Sequence, residues 1–273
     1  MASASQPLEK VAGGFQFTEG PVWIAARSEL IFSDIPPNKL YRLSHDRVSV
    51  FRDPSGHANG NALDPQGRLL TCEHGHRRVS RTEPDGRLVT LADRYEGKRL
   101  NSPNDLVCRR DGTIYFTDPP YGVKPEQREL DFQGVYRIAQ DQLTLLARDF
   151  AKPNGLCFSP EETLLYIADT ERSHIRVFTV TGAGTLANGR LFCEVARPDG
   201  LRVDPTGNLW VAAETGVEVF DVTGRRLAHM DVPERPANLC FGGANADTLY
   251  ITARTSLYRA RLSMLEIPTQ GRP

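Results

Sequence analysis

The chain has no C-x-x-C pair, no apolar run approaching the length of a membrane helix and no long amphipathic helical pattern. Each absence removes a class of protein. The five cysteines, Cys72, Cys108, Cys157, Cys193 and Cys240, are odd in number. Most sit inside apolar runs such as Leu106-Val107-Cys108 and Leu156-Cys157-Phe158. They read as small buried hydrophobes in a reducing compartment rather than as a disulfide framework or a catalytic thiol. The 273 residues carry 33 Lys and Arg against 34 Asp and Glu, with the two signs interleaved throughout. Neither nucleic acid nor membrane is therefore expected as a partner, because both demand clustered positive charge. The start, Met1-Ala2-Ser3-Ala4-Ser5-Gln6-Pro7, lacks the basic head and apolar stretch of a secretion signal, so a cytoplasmic location is expected. A G-x-S-x-G elbow and a G-x-x-x-x-G-K-S/T loop are both missing, which argues against serine-nucleophile and nucleotide chemistry.

What the chain does have is repetition. Its clearest unit runs from Asp199 to Ala213: a short alternating segment, a turn with Asp204-Pro205 and Gly207, and a second apolar segment, Leu209-Trp210-Val211-Ala212. That is a β-hairpin signature. The frame recurs from Asn59 to Glu73, from Asn104 to Asp118 and from Asn154 to Asp169. Glu19-Gly20-Pro21-Val22-Trp23 with Leu30–Asp34, and Ala237-Asn238-Leu239-Cys240 with Leu249–Ala253, complete six copies. A period of about 40–50 residues is that of a four-stranded propeller blade. Further strand candidates lie between the hairpins, among them Lys39–Leu43, Gly134–Ile138, Ile175–Val180 and Val217–Phe220. The sequence thus predicts an all-β, six-bladed β-propeller formed by residues 1–273 as one domain. A β-sandwich would not account for six copies of one hairpin at near-constant spacing. Two stretches, Arg94–Ser102 and Pro119–Phe132, read as long loops.

The first strand of each propeller blade lines the central channel, so the residue opening each repeat stands at one end of it. That column is Glu19, Asn59, Asn104, Asn154, Asp199 and Ala237. Five of the six offer a side-chain oxygen. Carboxylates and amide carbonyls converging on an axis suit a hard cation, calcium first, with magnesium and manganese as alternatives. Zinc, a further alternative, would want His or Cys, which the column lacks. A lone Asn or Asp at a strand start commonly caps a turn, but turn chemistry does not call for an axial ring and Glu19 is a poor turn former. A second column closes each hairpin: Asp34, Glu73, Asp118, Asp169, Ala213 and Ala253. Blade-turn caps are expected at Asp34 and Asp118, while Glu73 and Asp169 stand as secondary site candidates. The loop Glu73-His74-Gly75-His76-Arg77-Arg78 is a candidate for binding substrate hydroxyls through Glu73 and His74, with His74 an optional general acid.

The motifs Thr18-Glu19-Gly20-Pro21-Val22-Trp23, Asn101-Ser102-Pro103-Asn104-Asp105-Leu106, Tyr115-Phe116-Thr117-Asp118, Pro153-Asn154-Gly155-Leu156 and Pro198-Asp199-Gly200-Leu201 resemble, in order, those of the senescence-marker-protein/gluconolactonase (regucalcin-like) family. Cys72-Glu73-His74-Gly75 and Asn101-Ser102-Pro103 are most similar to its bacterial gluconolactonase branch. The resemblance implies a lactonase that opens a sugar lactone with one divalent cation. It implies direct metal ligation by Glu19, Asn154 and Asp199, with Asn104 at the metal or one water away and touching substrate. It also implies that Asp199 is the catalytic acid/base. The animal members carry Arg two residues before the Asn104 position, where this chain has Ser102. Two rival functions fit the same pattern: a calcium-dependent propeller hydrolase for other lactones or phosphotriesters, and a non-catalytic binding propeller.

Overall fold

The computed structural model describes residues 3–4 and 7–263. Six antiparallel sheets follow one another along the chain. Blade one comprises Thr18–Ile24, Glu29–Asp34, Lys39–Ser44 and Arg47–Arg52, and blade two Ala58–Leu63, Leu69–Glu73, Arg78–Thr82 and Leu88–Ala92. Blade three comprises Leu106–Cys108, Ile114–Asp118, Gly134–Ala139 and Gln142–Ala147, and blade four Pro153–Phe158, Leu164–Asp169, His174–Val180 and Leu186–Glu194. Blade five comprises Leu201–Val203, Leu209–Ala212, Gly216–Phe220 and Arg226–Asp231. The six-bladed propeller expected from the repeats is the fold observed. Of the two long loops, the first carries a small hairpin of Arg94–Tyr95 against Lys98–Arg99, and the second a short 3-10 turn at Pro125–Gln127.

The second strand of each blade explains why it reads as an unbroken apolar run. Alternate side chains leave opposite faces of a strand, and here both faces meet a neighbouring blade. Leu30 and Phe32 pack with Cys240, Tyr250 and Leu257 of blade six, whereas Ile31 between them packs with Ala58 and Leu69 of blade two. Leu209 and Val211 face Tyr166 and Ile175, while Trp210 and Ala212 face Leu249 and Ile251. Among the described residues six separate apolar clusters result, one between each pair of adjacent blades.

Ring closure is non-local. Blade six has Pro236–Gly242, Thr248–Ala253 and Ser256–Ser263 from the end of the chain, and takes Glu9–Gly13 from its start as an outer strand. Glu9 stands opposite Arg259 and Gly13 opposite Ser256. Arg259 Nε donates to the Glu9 carboxylate at 2.7 Å. Val11, Ala12 and Phe15 pack on the cluster between blades six and one. Truncation through Gly13 is therefore expected to lower stability by about 3 kcal/mol or more, from the lost apolar burial alone. Urea titration measures it, and an unchanged midpoint would mean that the ring closes without this strand.

Candidate active site

The six column residues meet because the inner strands approach one another closely around the axis. Gly60 N–H donates to the Asn104 carbonyl and Gly200 N–H to the Ala237 carbonyl, both at 2.8 Å across a blade boundary. A Cβ on Gly155 would collide with the Asp199 carbonyl, and one on Gly20, at φ 49°, with the Asn59 carbonyl. Glycine after the column residue is what permits this spacing.

Acids from the second column brace the segments leading into the first. The Asp34 carboxylate accepts from the N–H groups of Gln16 and Phe17 at 3.1 and 2.8 Å. Asp118 accepts from Asn101 and Ser102, both at 2.7 Å, and Asp169 from Ala151 and Lys152 at 2.8 and 3.0 Å. In each case the bonds fall two and three residues ahead of the column residue, at Glu19, Asn104 and Asn154. The capping expected of Asp34 and Asp118 is observed. Asp169 caps as well and is absent from the cavity lining, so it is not a site residue. Glu73, expected at the substrate, is corrected too. It is fully buried, and its carboxylate accepts from Arg78 Nε at 2.9 Å and Ser80 Oγ at 2.5 Å and meets His76 Nδ1 at 2.5 Å. Three partners hold it away from the channel.

The remaining candidates line one cavity of about 370 Å³: Glu19, Asn104, Asn154 and Asp199, with Asn59 and Ala237 of the column and His74 beside them. That is near the lower end for small-molecule pockets, roughly 300–1,000 Å³. Asn154 donates its amide to Thr170 Oγ at 3.0 Å and Tyr121 Oη at 3.3 Å, which leaves Oδ1 for the cavity. Glu19 Oε2 accepts from Gly20 N–H at 2.7 Å and Asn238 Nδ2 at 3.0 Å, which leaves Oε1. Among the described residues nothing is bonded to the side-chain amide of Asn104.

Burial and the nearby Asp199 and Asp105 charges push the Glu19 carboxyl well above its ordinary pKa. Burial raises Asp199 to about 7; Arg235 pulls it back down, and Asp105 adds to the rise. Crowded carboxylates with unpaired oxygens and no ion-pair partner fit a hard cation, because a dication relieves both burial and mutual repulsion. Among the described residues no three His, Cys, Asp or Glu side chains form a metal cluster. The donor set is instead two carboxylates with amide oxygens.

Sequence reasoning missed Asp105 and Asn238, which follow the column residues of blades three and six. Both are buried, and Asn238 Nδ2 bridges Glu19 Oε2 and Asp105 Oδ2, the latter at 3.2 Å. At this next position Gly20, Gly60, Gly155 and Gly200 fill the other four blades. The two polar exceptions were the available signal. Tyr121, Thr170, Arg197, Arg235 and Arg254 also line the cavity from segments outside the repeat frame.

The family model described as SMP-30/Gluconolactonase/LRE-like region matches residues 17–255. A gluconolactonase of Zymomonas mobilis is 33% identical over 290 residues, covering 94% of this chain and 82% of that protein. A pentonolactonase of Haloferax volcanii is 28% identical, covering 86% and 80%. The solved structure of a gluconolactonase from Xanthomonas campestris matches with a TM-score of 0.88 at 40% identity, covering 94% of this chain and 89% of that one. The resemblance drawn from the motifs is borne out across the chain.

His74 supplies a test of the geometry. It is buried, with Nε2 3.1 Å from Asn59 Nδ2, and burial followed by the His57 charge lowers its pKa to about 4. It is therefore neutral at pH 7 and no general acid. In the unfolded chain it protonates near 6.5. Between those values the unfolded state binds the extra proton, so stability present above pH 6.5 is lost as the pH falls toward 4. Wild type is expected to lose about 3 kcal/mol more than His74→Gln between pH 7 and pH 4. Urea midpoints at both pH values measure this, and equal losses would mean that His74 is not held neutral.

Proposed function

The chain belongs to the SMP-30/gluconolactonase/LRE-like family and is a lactonase; on that premise we propose that it opens a sugar lactone, gluconolactone or a close relative, with one bound divalent cation, calcium first. Glu19, Asn154 and Asp199 would hold the cation directly, and Asn104 directly or through water. The observation that carries the reading is the axial set of oxygen donors, with the two carboxylates Glu19 and Asp199 both raised in pKa and without an ion pair among the described residues. A cation held there supplies Lewis acidity to the lactone carbonyl and to the attacking water.

The chain's own groups supply the rest. Asp199 holds the attacking water, receives its proton as the new C–O bond forms and returns it to the ring oxygen, which leaves as a hydroxyl when the acyl C–O bond breaks. The unengaged amide of Asn104 meets the lactone or a neighbouring hydroxyl. His74, neutral, exchanges hydrogen bonds with a sugar hydroxyl. The Tyr121 ring stands at the mouth, its hydroxyl in reach of Asn154. Five free cysteines suit a reducing compartment, and the cytoplasm is the location carried here.

Chelation is expected to abolish lactone hydrolysis and calcium to restore it, while circular dichroism stays native-like, since the apolar clusters are separate from the site. Full activity after exhaustive chelation would remove the cation from the reaction. Faster turnover of a phosphotriester than of gluconolactone would favour the broader propeller hydrolase reading.

Asp199→Asn is expected to lower turnover about 10²–10⁴-fold, the usual worth of a general acid or base. That loss should persist at saturating calcium. Glu19→Gln removes equal charge from a residue assigned only to ligation, so its loss should shrink as calcium is added. Equal recovery of both variants would make Asp199 a ligand alone.

A further inference from the structure

The cavity wall formed by blades five and six is cationic. Arg197 lies in the connection between Glu194 and Leu201, Arg235 in that between Asp231 and Pro236, and Arg254 in the turn between Ala253 and Ser256; all three line the cavity. Among the described residues one carboxylate, Glu214, is within ion-pair distance of any of them, and the Asp199 charge also acts on Arg235 and Arg254. Glu214 Oε2 is 3.1 Å from Arg197 Nε and 3.3 Å from Arg235 Nη1, and Glu214 itself does not line the cavity. Arg254 lies over the Phe17 ring at 5.1 Å and has no carboxylate partner among the described residues. The facing wall, with Ile35, Pro36, His74 and Tyr121, carries no formal charge.

A neutral polyol can accept hydrogen bonds from guanidinium groups but supplies no charge to compensate their three. Guanidinium forks match carboxylate and phosphate oxygens; Arg235 is largely buried, whereas Arg197 and Arg254 are exposed and open to a ligand. The carboxylate released on ring opening would form beside Asp199 and can engage one guanidinium, which leaves the others for a second anion. Building on the lactonase reading, we propose that this wall recognises an anionic group, carboxylate or phosphate, at the end of the substrate remote from the reacting carbonyl. The preferred substrates are then lactones of aldaric acids or of phosphorylated aldonic acids.

The test compares gluconolactone, glucarolactone and phosphogluconolactone on the calcium-loaded enzyme. At low salt, kcat/KM for at least one anionic lactone is expected to exceed that for gluconolactone tenfold or more, and which one identifies the group. The preference should shrink as ionic strength rises, since screening shortens to about 10 Å at 0.1 M. Arg254→Met and Arg235→Met should each cut the anionic-to-neutral ratio about tenfold, chiefly through KM. Arg87→Met, an exposed arginine in the outer hairpin of blade two, should leave the ratio alone. Calorimetry on the calcium-loaded protein gives a readout without turnover: glucarate should bind more tightly than gluconate, and Arg254→Met should erase the difference. Gluconolactone turned over as well as both anionic lactones, or a ratio indifferent to Arg254 and Arg235, would overturn the proposal. Failure to hydrolyse any lactone would instead sink the lactonase reading, and the calorimetric comparison would still decide the arginine wall.

Discussion

Three carboxyl groups, Glu19, Asp105 and Asp199, crowd into one end of a narrow channel; among the described residues none has a Lys or Arg within ion-pair distance, though Arg202 eases Asp105 and Arg235 and Arg254 ease Asp199 from further off. Burial raises the pKa of each. Left to themselves such groups would take up protons or move apart. Here they cannot move apart. Glu19 sits on its inner strand and Asp199 just ahead of its own, both locked to neighbouring segments by backbone bonds, and Asn238 ties Glu19 to Asp105 with one amide. The scaffold therefore maintains a local excess of negative charge, and the chemistry of the cavity follows from that constraint.

The scaffold can bear this cost because its stability is made elsewhere. Every blade-to-blade interface has its own apolar cluster, fed by second strands buried on both faces. Those strands end in Asp34, Asp118 and Asp169, whose carboxylates grip the backbone just ahead of the column residues. One element thus serves both ends of the problem: its apolar body packs the ring, and its terminal acid sets where the axial side chain stands. In these three blades packing reaches the site through a pair of backbone hydrogen bonds.

The repeats made both the ring and its axial column legible, because a hairpin frame preserved in six copies fixes which positions are equivalent. What failed was the assumption that equivalent positions do equivalent work. Glu73 occupies the frame position of Asp34, Asp118 and Asp169, yet Arg78 and Ser80 on the next strand claim its carboxylate. Partner identity, not position, decides a buried acid's role, and partners across strands are invisible until register is known. Closure by Glu9–Gly13 was hidden for a related reason, since it pairs residues at opposite ends of the chain. The arginines lie in connections that obey no frame at all.

Asp105 and Asn238 show how a symmetric ring acquires a one-sided site. Blades three and six face each other across the axis, so polar side chains following their column residues reach toward one another through the channel. They bond at 3.2 Å, whereas the other four blades have only glycine there. The pair fills the space beside the glycines: a Cβ on Gly60 would meet Asp105 Oδ1, and one on Gly200 would meet Asn238 Oδ1. An aspartate at 238 would fill the same space but set a further negative charge against Glu19 and Asp105, and it would have no N–H with which to join them. An amide is therefore the side chain that both joins the two acids and fixes Glu19 with one oxygen facing the cavity.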